Sequence, residues 1–269
     1  MIYNIAMIPY TNMAPYWELD QPVGCRFMPC VPSKSVTSLQ KGSVIAAAVP
    51  VGGLLALRGL VEPVGRFGIA AKKESMSVLF FSEQKFSEIN RDSTVYLTNE
   101  SESSVRLLYL LFGYYQGFDS IPCQTNNKEK ANGELIIGDA ALLKARSWKD
   151  KACYDVQNKT KYNHVTDLAV EWYSAFKLPF VFARWVIRKD APGKVRSSLE
   201  NWLAEFQERE QELIATSIPK TAKRLGLSNN QMMRYFSILR RTLDNEDING
   251  QKLFLQEIQK YVQNAIFSV

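Results

Sequence analysis

The run Val44-Ile45-Ala46-Ala47-Ala48-Val49 is apolar at every position, so a strand built from it must have both faces covered. Only an interior strand of a sheet flanked by helices meets that condition. Ile2 to Ile8 is strand-like before it, and the loop Pro9 to Pro15 leads into a short helix carrying Tyr16 and Trp17. Cys25 to Val31 forms a second strand and Ser35 to Gln40 a helix. Strands alternating with helices predict an α/β chain with a mostly parallel sheet.

Further along, Gly52 to Leu60 is expected to be helical, with Pro63 to Ala71 and Ser75 to Ser82 as strands. The polar stretch Glu83 to Asp92 then marks a crossing into a new unit. That unit opens with strand Thr94 to Leu97, the loop Thr98 to Glu102 and an apolar helix from Ser103 to Gln116 that buries Val105, Leu108, Leu111 and Phe112. After a turn-rich stretch, Glu134 to Ile137 makes a short strand that passes through Gly138-Asp139 into a helix over Ala140 to Arg146. Leu178 to Ile187 is the last clear strand, and it returns to complete the first sheet. The middle of the chain is therefore an inserted lobe: residues 1–85 with 178–269 form one lobe, and residues 86–177 the other. Two crossings, at 83–93 and 173–180, supply a hinge with a cleft beside it. The C-terminal part is helical, with Val195, Leu199, Trp202, Phe206 and Leu213 on one apolar face and Leu253, Phe254, Ile258, Tyr261 and Val262 on another.

Composition narrows the function classes. Hydrophobic residues at 46% and charged residues at 22% in a 269-residue chain exclude disorder and fibrous repeats. A net charge of +6 raises nucleic acid as a partner, but the basic residues are scattered, with only short pairs such as Lys72-Lys73 and Arg240-Arg241. The turn Leu225-Gly226-Leu227-Ser228 sits between helices that lack a dense basic face, so no nucleic-acid partner is expected. The modest positive bias suits steering of a small anion instead. No apolar run is long enough for a membrane span and Met1 to Pro9 lacks a basic leader, which predicts a cytoplasmic protein, monomer or homodimer, with no membrane partner.

Cys25, Cys30, Cys123 and Cys153 show no C-x-x-C spacing and His164 is the single histidine, so no metal site is expected and the thiols are assigned as reduced, buried packing groups. His164 lies in the polar run after Lys159 and is expected at the solvated surface. No catalytic triad, phosphate loop or dinucleotide fingerprint is present, and no cofactor is implied.

The chemistry is expected where open α/β sheets bind ligands, outside the carboxyl ends of strands. Three loops stand there: Pro9 to Pro15, Thr98 to Ser104, and Gly138-Asp139. Ser101, Ser103 and Ser104 cluster at a helix start, where free N–H groups favour a carboxylate, although Ser103 would serve equally as a plain N-cap. Asn12, between two prolines, is suited to a fixed ligand contact or to an Asx-turn. Ser77 is placed to donate a hydrogen bond at a lobe crossing.

Taken together, Ile8-Pro9-Tyr10-Thr11-Asn12-Met13-Ala14-Pro15, Ser101-x-Ser103-Ser104-Val105-x-Leu107-Leu108, Ile137-Gly138-Asp139-Ala140-Ala141-Leu142, and Asp167-Leu168-x-x-x-Trp172 followed by Leu178-Pro179-Phe180-Val181-Phe182-Ala183-x-Trp185 resemble the menaquinone-biosynthesis family of the futalosine pathway, nearer its chorismate dehydratase branch. That resemblance implies a periplasmic-binding-protein-like type II fold, two lobes with mixed sheets and an inter-lobe cleft. It further implies a chorismate-like anionic substrate, with Asn12 and Ser77 as catalytic residues and Thr11, Asn12, Ser77, Ser101, Ser103, Ser104, Gly138 and Asp139 as substrate contacts. Ala141 to Arg146 contains no histidine, unlike the naphthoate synthase branch of the same fold. Glu102 stands where the family commonly has Arg, and Gly42-Ser43-Val44 lacks its usual acidic residue.

Overall fold

The computed structural model describes residues 2–150 and 161–262. Its first sheet has the order β11-β4-β10-β3-β1-β2, from strands β1 (Tyr3–Met7), β2 (Cys25–Pro29), β3 (Ala46–Pro50), β4 (Val61–Ala71), β10 (Phe180–Arg188) and β11 (Leu239–Thr242). β1 pairs in parallel with β2 and β3, while β10 runs antiparallel between β3 and β4. The apolar run that opens the sequence argument ends in β3, where every residue is buried. Helices cover it: α1 (Pro32–Gln40) packs Leu39 against Ala47 and Val49, and α5 (Gly193–Leu225) lays Leu199, Trp202, Leu203 and Phe206 across the other face.

The second sheet has the order β7-β6-β8-β5-β9, with β5 (Val78–Ser82), β6 (Thr94–Tyr96), β7 (Cys123–Gln124), β8 (Gly133–Ile137) and β9 (His164–Asp167). β6 is parallel to β7 and β8, whereas β5 is antiparallel to β8 and β9. Helices α2 (Glu102–Gln116), α3 (Gly138–Asp150) and α4 (Leu168–Phe176) belong to this lobe. Both sheets are mixed, so the expectation of a mostly parallel sheet is corrected: the strand that returns after the insertion enters against its neighbours.

The first crossing also moves. β5 belongs to the second sheet, so the chain passes between lobes at residues 72–77, ahead of the 83–93 stretch, which instead joins β5 to β6 within the second lobe. The residues of β5 are all buried, and nothing in an apolar strand says which of two sheets will cover it. The return crossing lies between Phe176 and Phe180. Gly52 to Leu60 is a short 3-10 turn followed by further turns rather than a helix, consistent with paired glycines at 52 and 53. Three strands escaped the periodicity argument: β7, two residues in the turn-rich stretch, β9, in a polar stretch, and β11, four residues between α6 (Asn229–Ile238) and α7 (Asn245–Val262).

The lobes share an apolar seam on the hinge side. Fully buried Trp172 of α4 meets Phe180 of β10 and Phe254 of α7 edge-on at 5.4 and 5.9 Å, so hydrophobic contact runs unbroken from one lobe to the other. Cys25 is buried, Cys30 partly buried and Cys123 exposed, each a free thiol; Cys153 lies outside the described residues. The exposed position of Cys123 corrects its assignment as a buried packing group. His164 is half-buried in β9, opposite Ser82, rather than at the surface. The backbone at Tyr261 and Val262 continues α7, but their side chains fall outside the described ones.

Candidate functional site

A cleft partly continuous with solvent lies between the lobes. The first loop enters it from one side. After β1, Thr11 to Glu18 coils into a 3-10 helix, with Pro15 inside it, and this presents Tyr10 and Asn12 to the cavity. Asn12 Oδ1 is buried without a hydrogen-bond partner, as is Tyr10 Oη. Leaving a buried acceptor unpaired costs about 1–3 kcal/mol, so Asn12 is held in a position that stability alone does not favour. Burial first, and the nearby Glu100 carboxylate second, push the Tyr10 phenol well above its ordinary range, so it stays a neutral O–H.

From the opposite lobe comes the start of α2. Ser101, not Ser103, is the N-cap: its Oγ accepts the Ser104 N–H at 3.2 Å and the Ser104 hydroxyl at 3.0 Å. With both lone pairs engaged, Ser101 has only its proton left to offer. Ser103 Oγ accepts the Gly52 N–H at 2.8 Å from the other lobe, which likewise leaves its proton free. All three serines line the cavity and are at most 5% exposed. The first N–H groups of α2, unpaired within the helix, and its dipole add to this donor set. Glu102 points outward and pairs with Arg106 at 3.4 Å, so its charge stays off the cavity wall.

Ser77, at the first crossing, lines the cavity too. Its Oγ receives the Tyr235 hydroxyl at 3.1 Å and donates to the Ser75 carbonyl at 3.3 Å. Tyr235 of α6 is fully buried, and that burial raises its phenol above the normal range. Gly138, at φ +63°, also lines the cavity: a Cβ there would come within 3.0 Å of the Tyr10 ring, so only glycine fits without displacing Tyr10.

Thr11 and Asp139 are brought together, but neither is among the residues that line the cavity. Asp139 Oδ1 accepts the Thr11 N–H at 2.8 Å, and both engage Arg224, which makes a contact between the lobes. The site therefore unites Asn12, Ser77, Ser101, Ser103, Ser104 and Gly138 from four distant stretches, together with Tyr10, which sequence reasoning passed over. Its only signal was its place between Pro9 and Asn12 in a restricted loop. The remaining wall is apolar, from Ile8, Ile69, Val78, Ile137, Phe180 and Phe182 among others. Among the described lining residues Tyr10 is the sole ionisable one; none is Asp, Glu, His, Lys, Arg or Cys. Among the described residues no group of His, Cys, Asp and Glu is arranged to hold a metal, and no helix is long and apolar enough to cross a membrane. An arrangement of neutral donors around an apolar slot can grip carboxylates on an otherwise hydrophobic small molecule.

A model of the family described as menaquinone biosynthesis matches residues 3–260. The chorismate dehydratase of Thermus thermophilus is 25% identical over 262 residues, covering 95% of each chain. Among solved structures, the alkanesulfonate-binding protein SsuA of Xanthomonas axonopodis pv. citri, bound to MOPS, superposes with a TM-score of 0.67 at 10% identity, covering 99% of this chain and 94% of that one. The periplasmic aliphatic sulphonate binding protein SsuA of Escherichia coli gives 0.64 at 14% identity, with 100% and 94% covered. Protein AF1704 of Archaeoglobus fulgidus also gives 0.64, at 13% identity and 97% and 98% coverage. These likenesses show the periplasmic-binding-protein-like fold.

Proposed function

Because the chain belongs to the menaquinone-biosynthesis family, we propose that it is a chorismate dehydratase, a hydro-lyase that removes water from chorismate to leave 3-[(1-carboxyvinyl)oxy]benzoate. One observation carries the reading: Asn12 from one lobe and the Ser101 to Ser104 turn from the other face one apolar cavity, with neutral donors and no carboxylate, imidazole, amine, guanidinium or thiol among the described lining residues. Chorismate is a cyclic diene bearing two carboxylates, so the serine hydroxyls and free amides of α2 take a carboxylate while the apolar wall takes the ring.

The elimination itself needs little from the protein. The proton on the ring carbon that bears the ether leaves as the neighbouring C–O bond breaks, the ring becomes aromatic, and the departing hydroxide gains a proton to become water. With no carboxylate or imidazole among the described lining residues, the base is the substrate's own enolpyruvyl carboxylate, which takes the ring proton and passes it to the departing hydroxide. Asn12 and Ser77 fix that carboxylate and the leaving hydroxyl in reacting geometry, and the Asn12 amide stabilises charge as it develops. Gly138 lets Tyr10 close the slot against water.

The same lack of acid and base groups is what a solute-binding protein for a small carboxylate would show, so one experiment must separate the two. Purified protein is incubated with chorismate and the mixture resolved by mass spectrometry. Appearance of the product one water lighter supports the enzyme; a raised melting temperature with chorismate unconsumed establishes the binder instead.

A further inference from the structure

The start of α3 and the end of α5 lie in different lobes, yet they are tied together. Asp139 Oδ1 accepts the Thr11 N–H at 2.8 Å and its Oδ2 accepts Arg224 Nη1 at 2.8 Å, while Arg224 Nη2 donates to Thr11 Oγ1 at 2.5 Å. Farther along α3, Arg146 donates to the carbonyl of Gly226, the left-handed residue that ends α5. Between them Leu142 is 5% exposed and buried in the first lobe's core. Positions 139, 142 and 146 share one helix face, so a whole side of α3 docks on the other lobe.

We propose that Asp139 and Arg224 are positioning residues that lock the cleft and set Asn12 in a single step. The proposal rests on the dehydratase reading given above. Thr11 is fully buried and its side chain and amide are both held by this pair, so the residue next to it is aimed by the lock. When the lobes part, Asp139 leaves with α3, Thr11 loses its acceptor, and the Asn12 turn is released. Substrate entry and Asn12 placement are thereby one event. Arg224 is half-exposed, and an ion pair in that setting adds little stability. Its signature is accordingly a large effect on turnover with a small effect on melting.

Arg224→Ala, Arg224→Lys and Asp139→Asn are made in the full chain, and kcat and KM with chorismate, melting temperature and the radius of gyration by X-ray scattering are measured. The melting temperatures are expected to stay close to wild type, kcat of Arg224→Ala and Asp139→Asn to fall by about tenfold or more, and the radius of gyration to rise. Arg224→Lys regains part of the loss, since an ammonium reaches Asp139 but does not bridge to Thr11. Values of kcat within about twofold of wild type in both Arg224→Ala and Asp139→Asn overturn the lock. So does a loss that follows the unfolded fraction and is not regained by lysine. A wild-type protein that leaves chorismate intact removes the dehydratase reading; the lock is then judged by scattering alone, which supports it if both variants expand and overturns it if neither does.

Discussion

Asp167 Oδ2 accepts the backbone N–H of Met76 at 2.7 Å, and Met76 sits in the left-handed region at φ +58°. The same carboxylate accepts the Ser75 N–H and hydroxyl and caps α4 through Ala169 N–H, so one side chain pins the outgoing crossing to the start of α4. A methionine at positive φ carries backbone strain that these bonds offset. Ser77, the cavity residue, follows directly, and Ser75 Oγ also accepts from Val78 N–H at 3.2 Å. Fixing the hinge thus fixes part of the site.

Asp167→Ala leaves four donors without their acceptor and frees Met76 from its strained conformation. The expected loss is about 2–4 kcal/mol of stability, read by urea denaturation. A change near zero would show that the crossing is held by something other than this carboxylate.

Asn12→Ala removes a buried oxygen that has no partner, so stability should hold or rise slightly. Turnover of chorismate should nevertheless fall by about a hundredfold or more, because the group that meets developing charge is gone. Equal turnover in the two proteins refutes the role assigned to Asn12.

Gly138→Ala puts a Cβ at φ +63° and within 3.0 Å of the Tyr10 ring. The backbone term costs about 1–2 kcal/mol, and displacement of Tyr10 adds a loss of substrate affinity. A thermal melt and a KM measurement on one preparation separate the two effects, and an unaltered KM counts against Tyr10 as part of the cavity wall.

The pH profile should be flat. Tyr10 is the one ionisable side chain in the described wall; burial, then the Glu100 carboxylate and the charge of Asp139, raise its phenol, so it remains protonated at every pH below that raised value. Turnover per unit KM should hold steady between about pH 5 and 9, above the range where the substrate's carboxylates gain protons. A bell with an inflection near neutrality would reveal an acid or base that the cavity wall does not contain.

Much of the architecture was legible in the sequence. The unbroken apolar β3, the alternation of strand and helix up to residue 50 and the late return of β10 follow from periods of two and 3.6 residues and from the need to cover both faces of a buried strand. The polar loops at strand ends pointed to Asn12, the serines of α2 and Gly138, because residue type and place along a strand suffice to find such loops, whereas Ser77 was expected within a strand and lies in the crossing ahead of β5. Periodicity gave no hold on β7, β9 and β11, which are short and half-polar.

What the chain alone determined is which residues are buried, which turn and which are free to hydrogen-bond; these are local properties, set by side-chain chemistry and spacing. Only the tertiary structure decided that β5 joins the second sheet, and that Asp139 meets Thr11 and Arg224. An apolar strand fits either of two sheets equally well, and a carboxylate at a helix start is open to any donor. The choice falls to contacts between residues 128 and 85 positions apart in the chain, where no local pattern carries information.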